Sequence, residues 1–387
     1  MFNSNSIDII GIDMDRERPY HRIVCKLGTN VLTGGTDRLD LEVMANLVGQ
    51  MARLYSLGLE IIVVTSGAIA AGWERLGFTK ERKDIPFRQV MASVGQSRLM
   101  QAYEELFSGH GITVAQALLT RAELSDRAGY LNARNTLLAL LELGVVPIVN
   151  ENDVVAIEEI MGVKSFGDND SLSAMVANLV DADLLVLLTD TEGLYTADPN
   201  RDKSAQLIPR VEKIDGEIER LARGTSGRGI GGMETKIQAA KLATASGVAV
   251  VIASGKEPHV IERLSSGEAI GTLFPPTASK MESRKRFLLA GLSIKGRLTV
   301  DEGAVVALKE QNKSLLPAGV RDVEGEFGRG DSVEIVDGKG QEIACGISNY
   351  SSSDIAAIKG VRSDKIEGIL GYEYGAEVVH RNNLVVI

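Results

Sequence analysis

Cysteine and histidine are scarce in this chain, with two and four in 387 residues. Cys25 and Cys345 stand far apart, each in an apolar or strand-like run. That argues against a disulfide framework or a cysteine-based metal site and suits a reducing compartment. His21, His110, His259 and His380 all fall outside the polar loops described below, and no Gly-x-Ser-x-Gly elbow occurs. Histidine-based hydrolytic triads and tightly held zinc therefore have little to build on. Aromatic residues make up 4% of the chain, which leaves Leu, Ile, Val and Ala to fill the interior. No segment approaches the roughly 18 charge-poor apolar residues that a membrane helix needs. The N-terminal stretch carries Asp8, Asp13, Asp15, Arg16, Glu17 and Arg18 without a sustained apolar core, so it does not read as a secretory signal. A net charge of -10 argues against non-specific binding to nucleic acid or anionic membrane. The expectation is a cytoplasmic protein without membrane association, in which residues 1–20 form an irregular extension.

The chain exceeds one typical domain. From residue 21 to about 276 it alternates short apolar runs with helical patterns. Residues 23–26, 60–64, 113–117, 145–149, 184–188 and 248–252 read as strands, and the last three are nearly continuously apolar, as in strands covered on both faces. Helical periodicity spans about residues 39–55, 89–107, 130–141, 171–179 and 234–245. The pattern predicts an α/β fold, an open and mostly parallel sheet sandwiched by helices. On such a sheet ligands bind beyond the C-terminal ends of the strands.

Polar residues collect at those ends. One strand runs into Lys26-Leu-Gly-Thr-Asn30, another into Thr65-Ser-Gly-Ala-Ile-Ala-Ala-Gly72, others into Asn150-Glu-Asn-Asp153 and Thr189-Asp190. The loop Phe166-Gly-Asp-Asn-Asp-Ser171 adds acidic and amide groups ahead of a helix, where Asn169 or Asp170 could serve as the N-cap. Farther on, Ser226-Gly-Arg-Gly-Ile-Gly-Gly-Met-Glu-Thr-Lys236 opens another helix. Its glycines let the backbone approach a ligand, and the helix start offers unpaired N–H groups and a positive dipole end. Lys236 in the first turn is unfavourable for the dipole unless an anion is bound beside it. The combination reads as a phosphate cradle, although its spacing is not that of the G-x-x-x-x-G-K-[ST] loop. With Lys26 as a second cation and carboxylates available for magnesium, phosphoryl transfer by positioning and charge neutralisation is the chemistry these residues favour.

Eight motifs in order carry a resemblance to the glutamate 5-kinases of the amino acid kinase family over about residues 20–276. They are Lys26-Leu-Gly-Thr-Asn30, Thr65-Ser-Gly-Ala-Ile-Ala-Ala-Gly72, Ala92-Ser-Val-Gly-Gln-Ser97, Leu131-Asn-Ala-Arg134, Val149-Asn-Glu-Asn-Asp153, Gly167-Asp-Asn-Asp170, Leu188-Thr-Asp190 with Gly193-Leu-Tyr-Thr-Ala-Asp-Pro199, and Gly231-Gly-Met-Glu-Thr-Lys236. The resemblance implies phosphorylation of the side-chain carboxylate of L-glutamate by ATP with Mg2+, the first step of proline biosynthesis. It further implies feedback inhibition by L-proline, a homo-oligomer (tetramer or dimer) and a downstream glutamyl phosphate reductase as functional partner. Carried over by residue, Ser66, Asp153 and Asn169 resemble the glutamate contacts. Lys26, Thr189, Asp190, Ile230, Gly231, Gly232, Met233, Glu234, Thr235 and Lys236 resemble the ATP contacts. Lys26, Asp168 and Lys236 form the implied catalytic set, with Asp168 holding the two lysines in place; magnesium is expected mainly on the ATP phosphates, with no protein ligand assigned. Residues 157–166 form a longer loop than the family's usual one, and residues 1–20 match no obvious counterpart.

Pro275-Pro276 and the charged run at 280–286 mark a linker over residues 277–294. Beyond it, residues 295–300, 303–308, 315–320, 331–336 and 342–348 are short strands or helix starts broken by glycines, which suggests a small β-rich barrel. Leu316-Pro-Ala-Gly-Val320 followed by Gly328-Arg-Gly-Asp-Ser-Val333 resembles a PUA domain over residues 295–372, leaving 373–387 as a tail packed on a domain. Such domains often bind RNA, but the surroundings here are neither strongly basic nor rich in stacking aromatics, so packing or regulation is the expected role.

Overall fold

The computed structural model describes residues 19–77, 84–156, 169–199, 201–223, 232–279 and 294–386. Residues 1–18, residues 157–168 with Asp168, Ile230 and Gly231, and residues 280–293 of the expected linker lie outside them. The first unit opens with β1 (Arg22–Leu27), α1 (Thr29–Leu32), α2 (Leu41–Ser56), β2 (Glu60–Val64), α3 (Ala68–Leu76) and α4 (Ile85–Ser108). It continues through β3 (Val114–Leu119), α5 (Arg121–Ser125), α6 (Arg127–Glu142), β4 (Val146–Glu151), α7 (Asn169–Leu179) and β5 (Leu184–Thr189). It closes with α8 (Gly216–Arg223), α9 (Met233–Thr244), β6 (Ala249–Ser254), α10 (Val260–Ser265) and β7 (Thr272–Phe274).

These strands form one sheet in the order β3-β4-β2-β1-β5-β6-β7, parallel throughout except for the antiparallel edge pair β6–β7. Alternate residues of a strand point to opposite faces, and each face has its own core. Ile23, Cys25 and Leu27 of β1 join a cluster with Met44, Leu47 and Met51 of α2 and Leu99 and Tyr103 of α4. Val24, between them, faces the other way, into a cluster with Leu172 and Val176 of α7 and Ile237 and Ala240 of α9. Strand order reverses between β1 and β5: the chain leaves β1 towards β2 on one side and returns to β5 on the other. The C-terminal ends of these two strands thus flank the crevice in which such sheets bind ligands.

Two glycines allow the tightest helix contact. A Cβ on Gly72 of α3 would lie 2.0 Å from the carbonyl oxygen of Met91, and one on Gly95 of α4 would lie 1.7 Å from that of Ala68. The stretch holding Gly72, read from the sequence as a polar strand end, is therefore largely helical, while Gly95 lies in the helix expected over 89–107: the glycines let α3 and α4 touch backbone to backbone.

The second unit contains β8 (Gly296–Val300), α11 (Glu302–Lys309), β9 (Val320–Gly325), β10 (Ser332–Val336), β11 (Glu342–Ile347), α12 (Ser352–Ile358), α13 (Ile366–Leu370) and β12 (Leu384–Val386). Its sheet runs β12-β11-β10-β8-β9, with β8 and β10 parallel and the other pairs antiparallel. Residues 303–308 are helical, starting at Asp301, whose carboxylate caps the Ala304 amide at 2.8 Å. The final strand β12 adds to β11, and a small cluster of Leu131, Ile347 and Val385 joins α6 of the first unit to β11 and β12 of the second. Cys25 and Cys345 are free and buried, one in each sheet, with thiol pKa values pushed up by burial to about 12 and about 11. Among the described residues no helix is long and apolar enough to cross a membrane.

Candidate active site

At the end of β1 the side chain of Lys26 turns inward and stays buried. Asp170, on the first turn of α7, meets it: Lys26 Nζ lies 2.7 Å from Oδ1. Lys236, on the first turn of α9, approaches the other oxygen of the same carboxylate at 3.1 Å and donates to the Gly232 carbonyl at 2.9 Å. Thr235 Oγ1 also donates to Asp170 Oδ2, at 2.8 Å. An isolated carboxylate or ammonium buried this deeply would be very costly; clustered as one anion between two cations, each offsets the others' desolvation. Burial pushes the Asp170 pKa up, but the charges of Lys26 and Lys236 outweigh it and hold the group below the usual carboxylate range. The cluster carries a net positive charge in a nearly dry site, beside the N-termini of two helices. That arrangement calls for an anion.

Among the described residues Asp170 meets both lysines, two positions beyond the expected Asp168, which lies outside them, and its carboxylate does more than the N-capping its position suggested. A sequence signal for it exists: in a helix starting at Asn169, position 170 shares a face with Ser173, Ala174 and Ala177, all buried. Asp168 and Asp170 are otherwise the same residue type in the same short acidic run.

A second group of polar side chains stands beside this one. Asn169 Nδ2 donates to Ser66 Oγ at 3.0 Å and to Asn150 Oδ1 at 3.1 Å. Asn150 Nδ2 in turn donates to Gln96 Oε1 at 2.8 Å. The buried Asn169 Oδ1 has no hydrogen-bond partner among the described residues. An unpaired buried carbonyl costs about 1–3 kcal/mol, so this oxygen is set to accept from a ligand. Each member is delivered by local structure. Ser66 precedes Gly67, whose φ of +94° only glycine adopts without strain and which starts α3. Gln96 follows Gly95, so the close crossing of α3 and α4 aims it. Asn150 ends β4. Asn150 and Gln96 were not singled out as site residues in the sequence, although both lie inside quoted motifs. Asp153 lies just beyond β4 and is partly exposed.

Across β1, the end of β5 carries Thr189 and Asp190. Thr189 Oγ1 donates to Asp190 Oδ1 at 3.0 Å, and Asn30 Nδ2 donates to Oδ2 at 3.1 Å. Burial would raise the Asp190 pKa, but these hydrogen bonds lower it overall. A cavity of about 70 Å3 opens here, lined by Asn30, Val31, Gly34, Thr189, Asp190 and Lys256 among others. Of the expected ATP contacts on α9, Thr235 and Lys236 face the carboxylate cluster. Met233 packs on the neighbouring apolar core and Glu234 pairs with Arg223 at 2.9 Å.

The parallel sheet, its switch point and the lysine–aspartate–lysine cluster define a phosphoryl-transfer fold, and the sequence pattern of the amino acid kinase family matches residues 21–254, with a PUA domain matching 296–370. A glutamate 5-kinase of Dehalococcoides mccartyi is 57% identical over 95% of this chain and 99% of its own length. Those of Herpetosiphon aurantiacus and Shewanella amazonensis are 54% and 52% identical over 96% and 95% of this chain, and 100% and 96% of theirs. The chain belongs to the glutamate 5-kinase family.

Proposed function

We propose that this protein transfers the γ-phosphoryl group of ATP to the side-chain carboxylate of L-glutamate, giving L-glutamyl 5-phosphate and ADP at the entry to proline biosynthesis. The observation that carries the reading is the sharing of Asp170 by Lys26 and Lys236 at the crevice, in a chain whose full-length relatives are glutamate 5-kinases. A glutamate side chain has a reference pKa of about 4.3, so it is ionised at neutral pH and is itself the nucleophile. No general base is required, which suits a site without histidine. The obstacle is repulsion between carboxylate and phosphate. Lys26 and Lys236, held by Asp170, are placed to neutralise the charge that builds on the transferring group, and the N-terminus of α9 adds its dipole.

Ser66, Asn169 and Asp153 take the glutamate in this reading. Asn169 Oδ1 and the Asp153 carboxylate accept from the α-ammonium, while Ser66 donates to a substrate oxygen. Thr189, Asp190 and the start of α9 from Gly232 take the nucleotide. Magnesium fits as a companion of the ATP phosphates rather than as a resident ion. Asp170 is engaged by two lysines and Asp190 by Asn30 and Thr189, and among the described residues no group of three potential ligands gathers. When bound, it would supply further charge neutralisation on the phosphates. A cytoplasmic homo-oligomer inhibited by L-proline and working beside a glutamyl phosphate reductase completes the proposal.

ADP release measured with a panel of amino acids, with hydroxylamine present to trap an acyl phosphate, tests it. Glutamate-dependent ADP release with formation of the γ-hydroxamate is the expected result. Release with aspartate, N-acetylglutamate or carbamate in place of glutamate would overturn the substrate assignment.

A further inference from the structure

The motif Leu131-Asn-Ala-Arg134 has no part in the site as described, yet its arginine is among the most deeply buried side chains of the protein. It sits on α6, and its guanidinium reaches the far end of α7. There it donates to the carbonyl of Leu179, the last residue of that helix, and to the Asp181 carboxylate at 2.5 Å. Asp181 holds a left-handed backbone at φ +51°, a conformation glycine would accept more readily. A glycine there would relieve the backbone but could not receive the guanidinium. A cation is favourable beside the open carbonyls of a helix C-terminus, and a planar fork on two acceptors fixes both the height and the rotation of the helix it grips. Stability alone does not ask for this pair, since a buried ion pair can often be replaced by apolar side chains without loss.

The opposite end of α7 is about 15 Å away, and it carries Asn169 and Asp170. The helix between is walled in by the core through Leu172, Ala174, Val176 and Ala177, so it moves as a rod. One turn before Arg134 on the same helix, Leu131 is fully buried against Ile347 and Val385 of the second unit. Residues three apart lie on neighbouring positions of a helix surface, so the seam with the second unit and the grip on α7 share one stretch of α6.

We infer that Arg134 is a positioning residue for phosphoryl transfer: it sets the register of α7, and with it the placement of Asn169 and Asp170, from a stretch of α6 seated on the PUA domain through Leu131. The inference rests on the kinase reading for its catalytic consequence. Displacing the first turn of α7 by a fraction of an ångström withdraws Asp170 from the lysines and Asn169 from Ser66 together.

Arg134→Met replaces the arginine by an apolar chain of similar reach, and Arg134→Lys keeps the charge without the fork. Both are measured per folded molecule, with calorimetry to report stability. Arg134→Met is expected to lower kcat by about 10- to 100-fold and to raise the KM for glutamate, with Arg134→Lys recovering part of the loss. Kinetics equal to wild type per folded molecule, whatever the change in Tm, would overturn the inference. If Arg134→Met does not fold, Arg134→Lys decides by the same criterion, at a smaller loss. Amide hydrogen exchange supplies an arm independent of activity. Protection should fall in the first turn of α7 as well as the last, and a loss confined to the last turn would leave Arg134 a local clamp only. Wild-type protein that turns over no glutamate would defeat the kinase reading, while the exchange result would still judge the grip on α7.

Discussion

Asp170 receives Lys26 on one carboxylate oxygen at 2.7 Å and leaves its other oxygen to Thr235 and Lys236. The two lysines come from opposite ends of the first unit's sequence, and one buried carboxylate sets the position of both.

Asp170→Asn keeps the shape and removes the charge. The expected loss in kcat is about 100- to 1,000-fold, as for other preorganised electrostatic groups. Two buried ammonium groups left without their anion should cost about 3–5 kcal/mol of stability, read as a lower Tm. The folded pKa of Asp170 is depressed, so its contribution is fully present above the unfolded value of about 3.9 and is lost as pH falls through the lower folded value. Tm measured against pH should therefore drop more steeply in acid for wild type than for Asp170→Asn. Parallel acid limbs would show that other carboxylates govern acid unfolding.

Lys236→Ala should leave the fold intact and lower turnover at saturating Mg-ATP and glutamate. Removing one partner of the transferring group costs about 3–4 kcal/mol, on the order of a few hundredfold in rate. Wild-type turnover in this variant would remove Lys236 from the chemistry.

Asp153→Asn should raise the KM for glutamate far more than that for ATP, because it deletes a charge opposite the substrate ammonium while preserving the side-chain shape. A selective loss of ATP affinity would instead place Asp153 at the nucleotide.

Gly95→Ala and Gly49→Ala should have opposite signs. At Gly95 the new methyl would sit 1.7 Å from a backbone oxygen, whereas at Gly49 in α2 the nearest atom is the end of the flexible Arg53 side chain at 3.4 Å. The first should destabilise by about 1–3 kcal/mol or more, and the second should be neutral or stabilise by about 0.5–1 kcal/mol through helix propensity. Denaturant midpoints at unchanged slope would measure both.

A chain ending at Pro276 should still phosphorylate glutamate, because every proposed ligand group lies upstream. It would expose Leu131 and loosen α6, so a raised glutamate KM and a lowered Tm are expected, together with altered proline inhibition or subunit number. Steady-state assays with and without proline, paired with light scattering, check this. A folded but inactive truncation would show that the catalytic unit is not self-sufficient.

The apolar runs in the middle of the first sheet were legible because those strands are covered on both faces: the run at 184–188 is β5, buried at every position, whereas the edge strand β3 is only partly buried. Legibility failed where one residue type serves two ends. Gly72 read as loop-like, since nothing local distinguishes a glycine needed for a turn from one needed for a helix crossing. β7 is only three residues long, too short for a pattern, and exists because β6 offers it an edge. In the site, Lys26 and Ser66 stood out because charge and hydroxyl groups are unusual beside buried strands, and Lys236 because a cation in the first turn of a glycine-opened helix calls for an anion. The choice between Asp168 and Asp170 depended on the phase of α7, and Gln96 and Asn150 depended on tertiary contacts between α4 and β4.

Each of the two sheets holds one cysteine, sealed in its interior with its thiol protonated at neutral pH. The protein therefore carries a built-in reporter for each half. An alkylating reagent that ignores the native molecule will mark Cys25 only when the kinase sheet opens and Cys345 only when the PUA sheet opens. Pulsed labelling followed by peptide mass analysis can then time the two openings in one unmodified chain, and tell whether the halves unfold together or in sequence.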